Sequence, residues 1–148
     1  MRRKKVLIVV GFAVFVFLGV SAMLARALSA TGTERSRVRE LAEAEARGDA
    51  RAVLQATPAC ARQPACVAAT TTFVEQLRRD GAVEILQYRP SVQLPLTRVT
   101  GTGRVAWRAG TSDPIVQCVR VRRDGPLSGA KVELLSISAP VGAEASCP

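Results

Sequence analysis

The stretch PACVAATTTFVEQLRRDGAVEI, residues 64–85, is where the hydrophobic period of the chain changes, and that change decides the fold class. Pro64 is accepted in the first turn of a helix and Gly81 in a left-handed terminating position, so together they bracket a helix from Ala65 to Arg79. Its buried stripe is read as Val67, Thr70, Val74 and Leu77, with Phe73 beside it. Beyond Gly81 the period is two, because Val83 and Ile85 alternate with Glu84, the mark of a half-buried strand.

Toward the C-terminus the alternation persists. Val92, Leu94 and Leu96 alternate with Gln93 and Pro95; Val105 and Trp107 with Arg104 and Arg108; Val119 and Val121 with Arg120 and Arg122. Val132, Leu134 and Ile137 follow Lys131 and Glu133 as a last strand. Pro95 confines its strand to an edge or a bulge, since proline has no N–H for a ladder. Turn residues at 89–91, 101–103, 110–114 and 124–129 separate the strands at hairpin distances.

Toward the N-terminus the period is helical. From Glu34 onward, Val38, Leu41, Ala42 and Ala46 fall at i, i+3, i+4 and i+8, and Glu43 with Arg47 forms a favourable i,i+4 pair. Gly48 stops this helix, and Asp49 caps a short second one, Ala50 to Ala56, which Pro58 ends. Helices first and strands afterwards define an α+β domain over residues 34–148, with helices packed on a curved antiparallel sheet of about five strands. The apolar parity faces the helices and the arginine parity faces water.

Ahead of this domain stands a segment of another kind. Residues 1–5 carry Arg2, Arg3, Lys4 and Lys5, and residues 6–25, Val6 to Ala25, carry no charge at all. A helix of that length spans about 30 Å, the hydrocarbon thickness of a bilayer. The basic residues predict a cytoplasmic N-terminus, a transmembrane helix over 6–25, a short linker over 26–33 and an extracytoplasmic domain: a single-pass protein of the cell membrane. A cleaved signal peptide is the competing reading. The apolar run is longer than signal peptides use, and the best small-x-small site, Ala25-Arg26-Ala27, has an arginine inside it, so an uncleaved anchor is preferred.

Cysteine usage agrees with export. Cys60, Cys66, Cys118 and Cys147 all follow the apolar run, and an even count in an oxidising compartment reads as two disulfides. Three pairings are possible. Cys60 and Cys66 flank a short loop and are expected to pair, leaving Cys118 for Cys147. A four-thiolate zinc site is the alternative, but neither pair has metal-knuckle spacing. Cys118 shares the parity of the arginine face, so the tail from Pro140 to Pro148 is expected to fold back over the outer sheet surface and be tied there.

Histidine is absent, which removes histidine-based acid/base catalysis, Ser/His/Asp and Cys/His nucleophiles and every histidine-containing zinc site. The formal charge is +9, of which four positive charges precede the apolar run.

The pattern Ala42-x-x-x-Ala46-x-Gly48-Asp49-x-x-x-Val53-Leu54, followed by the meander, resembles the nuclear transport factor 2-like, or cystatin-like, superfamily over residues 34–138. That resemblance implies a cone between helices and sheet. Members that pair a membrane anchor with such a domain include type IV secretion assembly subunits and mammalian-cell-entry-associated membrane proteins. Enzymes of the superfamily work inside the cone with an Asp or Glu base and often a Tyr or His. Here the candidates are Glu84 and Tyr88, which on a simple pleat share a parity pointing away from the core. The family's catalytic histidines have no counterpart.

Two further patterns carry chemistry. Ser128-x-x-Lys131 matches a serine–lysine nucleophile motif, but it lies in a Pro/Gly turn leading into a strand rather than on a helical turn, so a structural role is preferred. Arg104, Arg108, Arg120, Arg122 and Arg123 are expected to line the outer face of two strands as an anion-facing patch. Lipid headgroups, cell-wall polymers or an acidic partner would suit it, and a solvated face is the plain alternative. Nucleic acid is not expected, because only Phe73, Tyr88 and Trp107 are available for stacking and Trp107 has core parity.

The expectation is therefore a non-catalytic interaction or assembly module that meets the membrane through its N-terminal helix and another envelope protein through its domain. No catalytic, cofactor-binding or metal-binding residue is assigned. A small-molecule-binding or enzymatic cone is the alternative, disfavoured because the inward parity is mostly Val, Leu, Ile and Trp.

Overall fold

The computed structural model describes residues 2–90, 97–125 and 131–147, with 2–5 and 27–31 as backbone only. Helix α1 runs from Arg2 to Ala46, 45 residues in one unbroken rod of about 67 Å. The segment 26–33, expected as a linker, is helical. It has no proline, and a helix already nucleated on both sides extends through one glycine more cheaply than it stops and restarts.

The stretch Val6–Arg26 is long and apolar enough to cross a membrane, and none of it is buried against the rest of the chain. Among the residues whose side chains are described, the buried ones of α1 are Glu34, Val38, Leu41, Ala42, Ala44, Glu45 and Ala46. One rod thus carries an apolar exposed half and an amphipathic packed half.

α1 ends where the sequence says it should. Gly48 takes φ +71°, its N–H bonds to Glu45 O at 2.8 Å, and the N–H of Asp49 bonds to Ala44 O at 2.9 Å, which closes a Schellman motif. Asp49 then caps α2, Ala50–Ala56, by accepting from the Ala52 N–H at 3.0 Å. A short α3, Pro58–Ala61, precedes α4, Pro64–Gln76. α4 stops short of the expected Arg79 because the Arg79 N–H is taken by Ala46 O at 2.9 Å, at the open carbonyl end of α1.

Four strands follow: β1 Val83–Arg89, β2 Val99–Ala109, β3 Ile115–Arg123 and β4 Val132–Ile137. They form one antiparallel meander in the order β1-β2-β3-β4. The sheet therefore has four strands among the described residues, not five, and the strand expected over 92–96 lies outside the described residues. Gly81 at φ +109° lets the chain enter β1 tightly. A Cβ there would stand 2.8 Å from the Cα of Gly110 at the end of β2.

The core is one cluster between the helices and one face of the sheet, built around Leu41, Val53, Val74, Val105, Trp107, Val119, Val121 and Leu134. α4 contributes Thr70, Phe73 and Val74, as its spacing predicts, whereas Val67 is only half-buried. A bulge between Ile85 and Gln87 inserts Leu86, which is left 42% exposed, and inverts the parity of the rest of β1.

Candidate functional site

Two polar pairs lie inside the helix–sheet interface. On α1 the residues at i, i+4, i+7 and i+11 are Glu34, Val38, Leu41 and Glu45, so the buried stripe is apolar in the middle and acidic at both ends. The inward residues of β3 are Ile115, Gln117, Val119, Val121 and Arg123, so polar side chains flank the apolar pair Val119 and Val121. The stripes meet so that Glu34 pairs with Arg123 and Glu45 with Gln117.

Glu34 and Arg123 are 0% and 3% exposed and form an ion pair through Arg123 Nε and Glu34 Oε2. This corrects the expected patch. Arg123 shares the odd parity of Val119 and Val121, so its side chain enters the core instead of lining the outer face. Burial pushes the Glu34 carboxyl above its ordinary range, against the opposing hydrogen bond and charge of Arg123.

At the other end, Gln117 Nε2 donates to Glu45 Oε1 at 2.9 Å and to Ser138 O at 3.0 Å, while Gln117 Oε1 accepts from Trp107 Nε1 at 2.6 Å. Glu45 has no charged partner among the described residues, and burial pushes its pKa up to about 8, against the pull of the Gln117 hydrogen bond. At neutral pH it is mainly the uncharged acid. Sequence reasoning missed this network; the parity of Gln117 and the i+11 spacing of the two glutamates were the available signals.

On the outer face two of the four arginines that remain of the expected patch are neutralised across strands. Arg108 Nε and Nη2 reach Glu84 Oε2 at 3.0 and 2.8 Å, and Arg122 pairs with Glu133. Arg104 donates to the Ala143 carbonyl and, at 3.4 Å, to Gln87 Oε1. Arg120 is exposed and pairs with none of the described residues. It stands in an open groove of about 600 Å³ with Thr100, Thr102, Ser136 and Ser138.

Both expected cysteine pairs are at bonding distance. Cys60 and Cys66 join α3 to α4 with Cα atoms 5.3 Å apart, and Cys118 and Cys147 join β3 to the tail at 5.6 Å. The tail begins by following β3, with the Ser138 N–H on Cys118 O at 2.9 Å and the Val141 N–H on Val116 O at 2.7 Å. It then crosses the outer face under the Arg104–Ala143 contact to Cys147. That cover leaves Cys118 6% exposed although its sulfur points outward.

The other sequence candidates separate. The Leu86 bulge splits the parity expected to be shared by Glu84 and Tyr88: Glu84 stays outside against Arg108, and Tyr88 turns inward opposite Val105. The Tyr88 hydroxyl is buried without a hydrogen-bond partner among the described residues. Lys131 is exposed, and Ser128 lies outside the described residues. Among the described residues no group of three His, Cys, Asp or Glu side chains gathers at metal-binding distance.

Comparison with protein-family models, with curated proteins and with solved structures gave no match.

Proposed function

We propose that this chain is a single-pass membrane protein whose N-terminus is cytoplasmic and whose α+β domain, of the nuclear transport factor 2-like kind, works outside the membrane as a binding or assembly module rather than as a catalyst. The observation that carries the reading is α1. Its stretch from Val6 to Ala25 exposes an uncharged apolar surface that water does not tolerate, and its C-terminal part from Glu34 is the spine of the domain core, with no break in the helix between them. Such a rod fixes the domain at the membrane instead of tethering it loosely.

Two disulfides support an oxidising compartment, and hence translocation of the domain. In support of binding over catalysis, Trp107, Leu41, Val119 and Leu134 fill the space between helices and sheet, and Glu45 is sealed behind them with 0% exposure. A general base has to reach its substrate's proton.

The test is a reporter fused after Pro148 that is active only outside the cytoplasm, combined with a carbonate wash of the membranes. An active reporter on a chain that stays in the pellet is the expected result. Release of a mature form beginning near Ala27 would replace the anchor with a cleaved signal, and an inactive reporter would invert the orientation.

A further inference from the structure

Because α1 is unbroken, the helical rise measures how far the domain stands from the bilayer. Arg26 closes the apolar stretch, and Glu34, the first buried residue among those whose side chains are described, lies about 12 Å further along the axis. Glu34 is bonded to Arg123 at the end of β3, so that end of the sheet is held at the same height. The headgroup layer is about 5–7 Å deep, and an arginine or lysine side chain bridges a comparable distance.

An open groove of about 610 Å³ lies at this end of the domain, bounded by α1 on one side and by the ends of β2, β3 and β4 on the other. Its charged residues are Arg37, Arg98, Arg122, Asp124, Lys131 and Glu133. Arg98 Nε holds Asp124 Oδ1 at 2.6 Å and Arg122 holds Glu133, so both carboxylates are matched. The side chains of Arg37 and Lys131 are exposed and form no hydrogen bond or ion pair with any described residue, although the charge of Lys131 is felt at Asp124, and the groove carries net +2.

We propose that this groove holds the phosphate-bearing headgroup of an anionic phospholipid from the leaflet out of which α1 emerges. The occupant follows from position and charge together. A phosphodiester is the anion held at this height at high local concentration, and two unmatched cations with their acidic neighbours already neutralised complement it. The inference rests on the membrane-anchor reading and adds to it a lipid preference and a fixed seat for the domain on the surface. It holds whichever side of the membrane the domain occupies.

The full chain is placed in nanodiscs of equal phosphatidylcholine and phosphatidylglycerol, and the lipids retained on release are counted by native mass spectrometry. The wild type should keep phosphatidylglycerol in preference. R37A/K131A should lose most of that preference, about 5-fold for each cation, while R51A/R62A, with both changes beyond the far end of α1, should keep it. The single changes R37Q and K131Q, both at exposed positions, should each lose part. Equal retention of the two lipids by the wild type would overturn the proposal, as would an undiminished preference in R37A/K131A. A chain that fails to enter the discs and is stripped from membranes by carbonate would overturn the anchor reading with it. A chain that inserts without lipid preference would overturn the headgroup site alone.

Discussion

Glu34 and Arg123 are 89 residues apart in the chain and paired in the core, the one at the start of the packed half of α1 and the other at the end of β3. The pair fixes the register of the helix on the sheet. Sliding α1 by one turn would leave both charges buried without each other, and the Glu45–Gln117 contact would be lost in the same step.

Breaking that pair from one side should be more damaging than removing it altogether. Arg123→Ala leaves a buried carboxylate without its cation and should cost about 3–5 kcal/mol. The apolar double change E34L/R123M should recover most of that loss. Denaturant midpoints of the full chain in micelles measure both. A double variant no better than R123A would mean that the pair acts through something other than mutual neutralisation.

Stability should fall with rising pH over a definite window. Glu45 titrates near 8 in the folded chain against 4.5 when unfolded, so the folded state holds a proton that the unfolded state releases. The contribution is whole below pH 4.5 and is lost progressively up to about pH 8. At about 1.4 kcal/mol per unit this amounts to several kcal/mol. Glu45→Gln keeps an oxygen for the Gln117 amide and carries no titrating proton, so urea midpoints of E45Q should vary much less across that range. The residual slope should have the same sign, because burial raises Glu34 as well. Parallel pH profiles for E45Q and wild type would refute the assignment.

Opening the Cys118–Cys147 bridge should destabilise the domain and free its tail. The bridge spans a sequence separation of 29, for which loop entropy gives about 3–4 kcal/mol. C118S/C147S should unfold at lower denaturant and become cleavable between Pro140 and Cys147, while the Cys60–Cys66 bridge survives in peptide maps. A peptide joining Cys118 to Cys60 or Cys66 would contradict the tail's course over the sheet.

Much of the architecture is decided locally and was therefore legible in the sequence. The Gly48-Asp49 break follows from one left-handed residue and one capping carboxylate, and both act within a few residues. The apolar span follows from an uninterrupted run, and the strand alternation from side chains that must face the core or water. The cysteine pairs followed from the short loop between Cys60 and Cys66, which left Cys118 for Cys147, and the tail's course from the outward parity of Cys118.

What the tertiary structure alone decided lies where one residue inverts a pattern or where two distant segments meet. The extra Leu86 inverts β1 and parts Tyr88 from Glu84, and a bulge has no local signature strong enough to reveal it. Nothing near residues 26–33 announces that α1 continues through them, since that depends on helix already formed on both sides. Arg108 and Arg122 lose their free charge to Glu84 and Glu133 on neighbouring strands, partners set by register. The buried pairs belong to the same class. A glutamate on a helix face reads as solvated until a strand some 70–90 residues away brings an arginine or an amide to meet it, because only that partner offsets the cost of taking its carboxylate out of water.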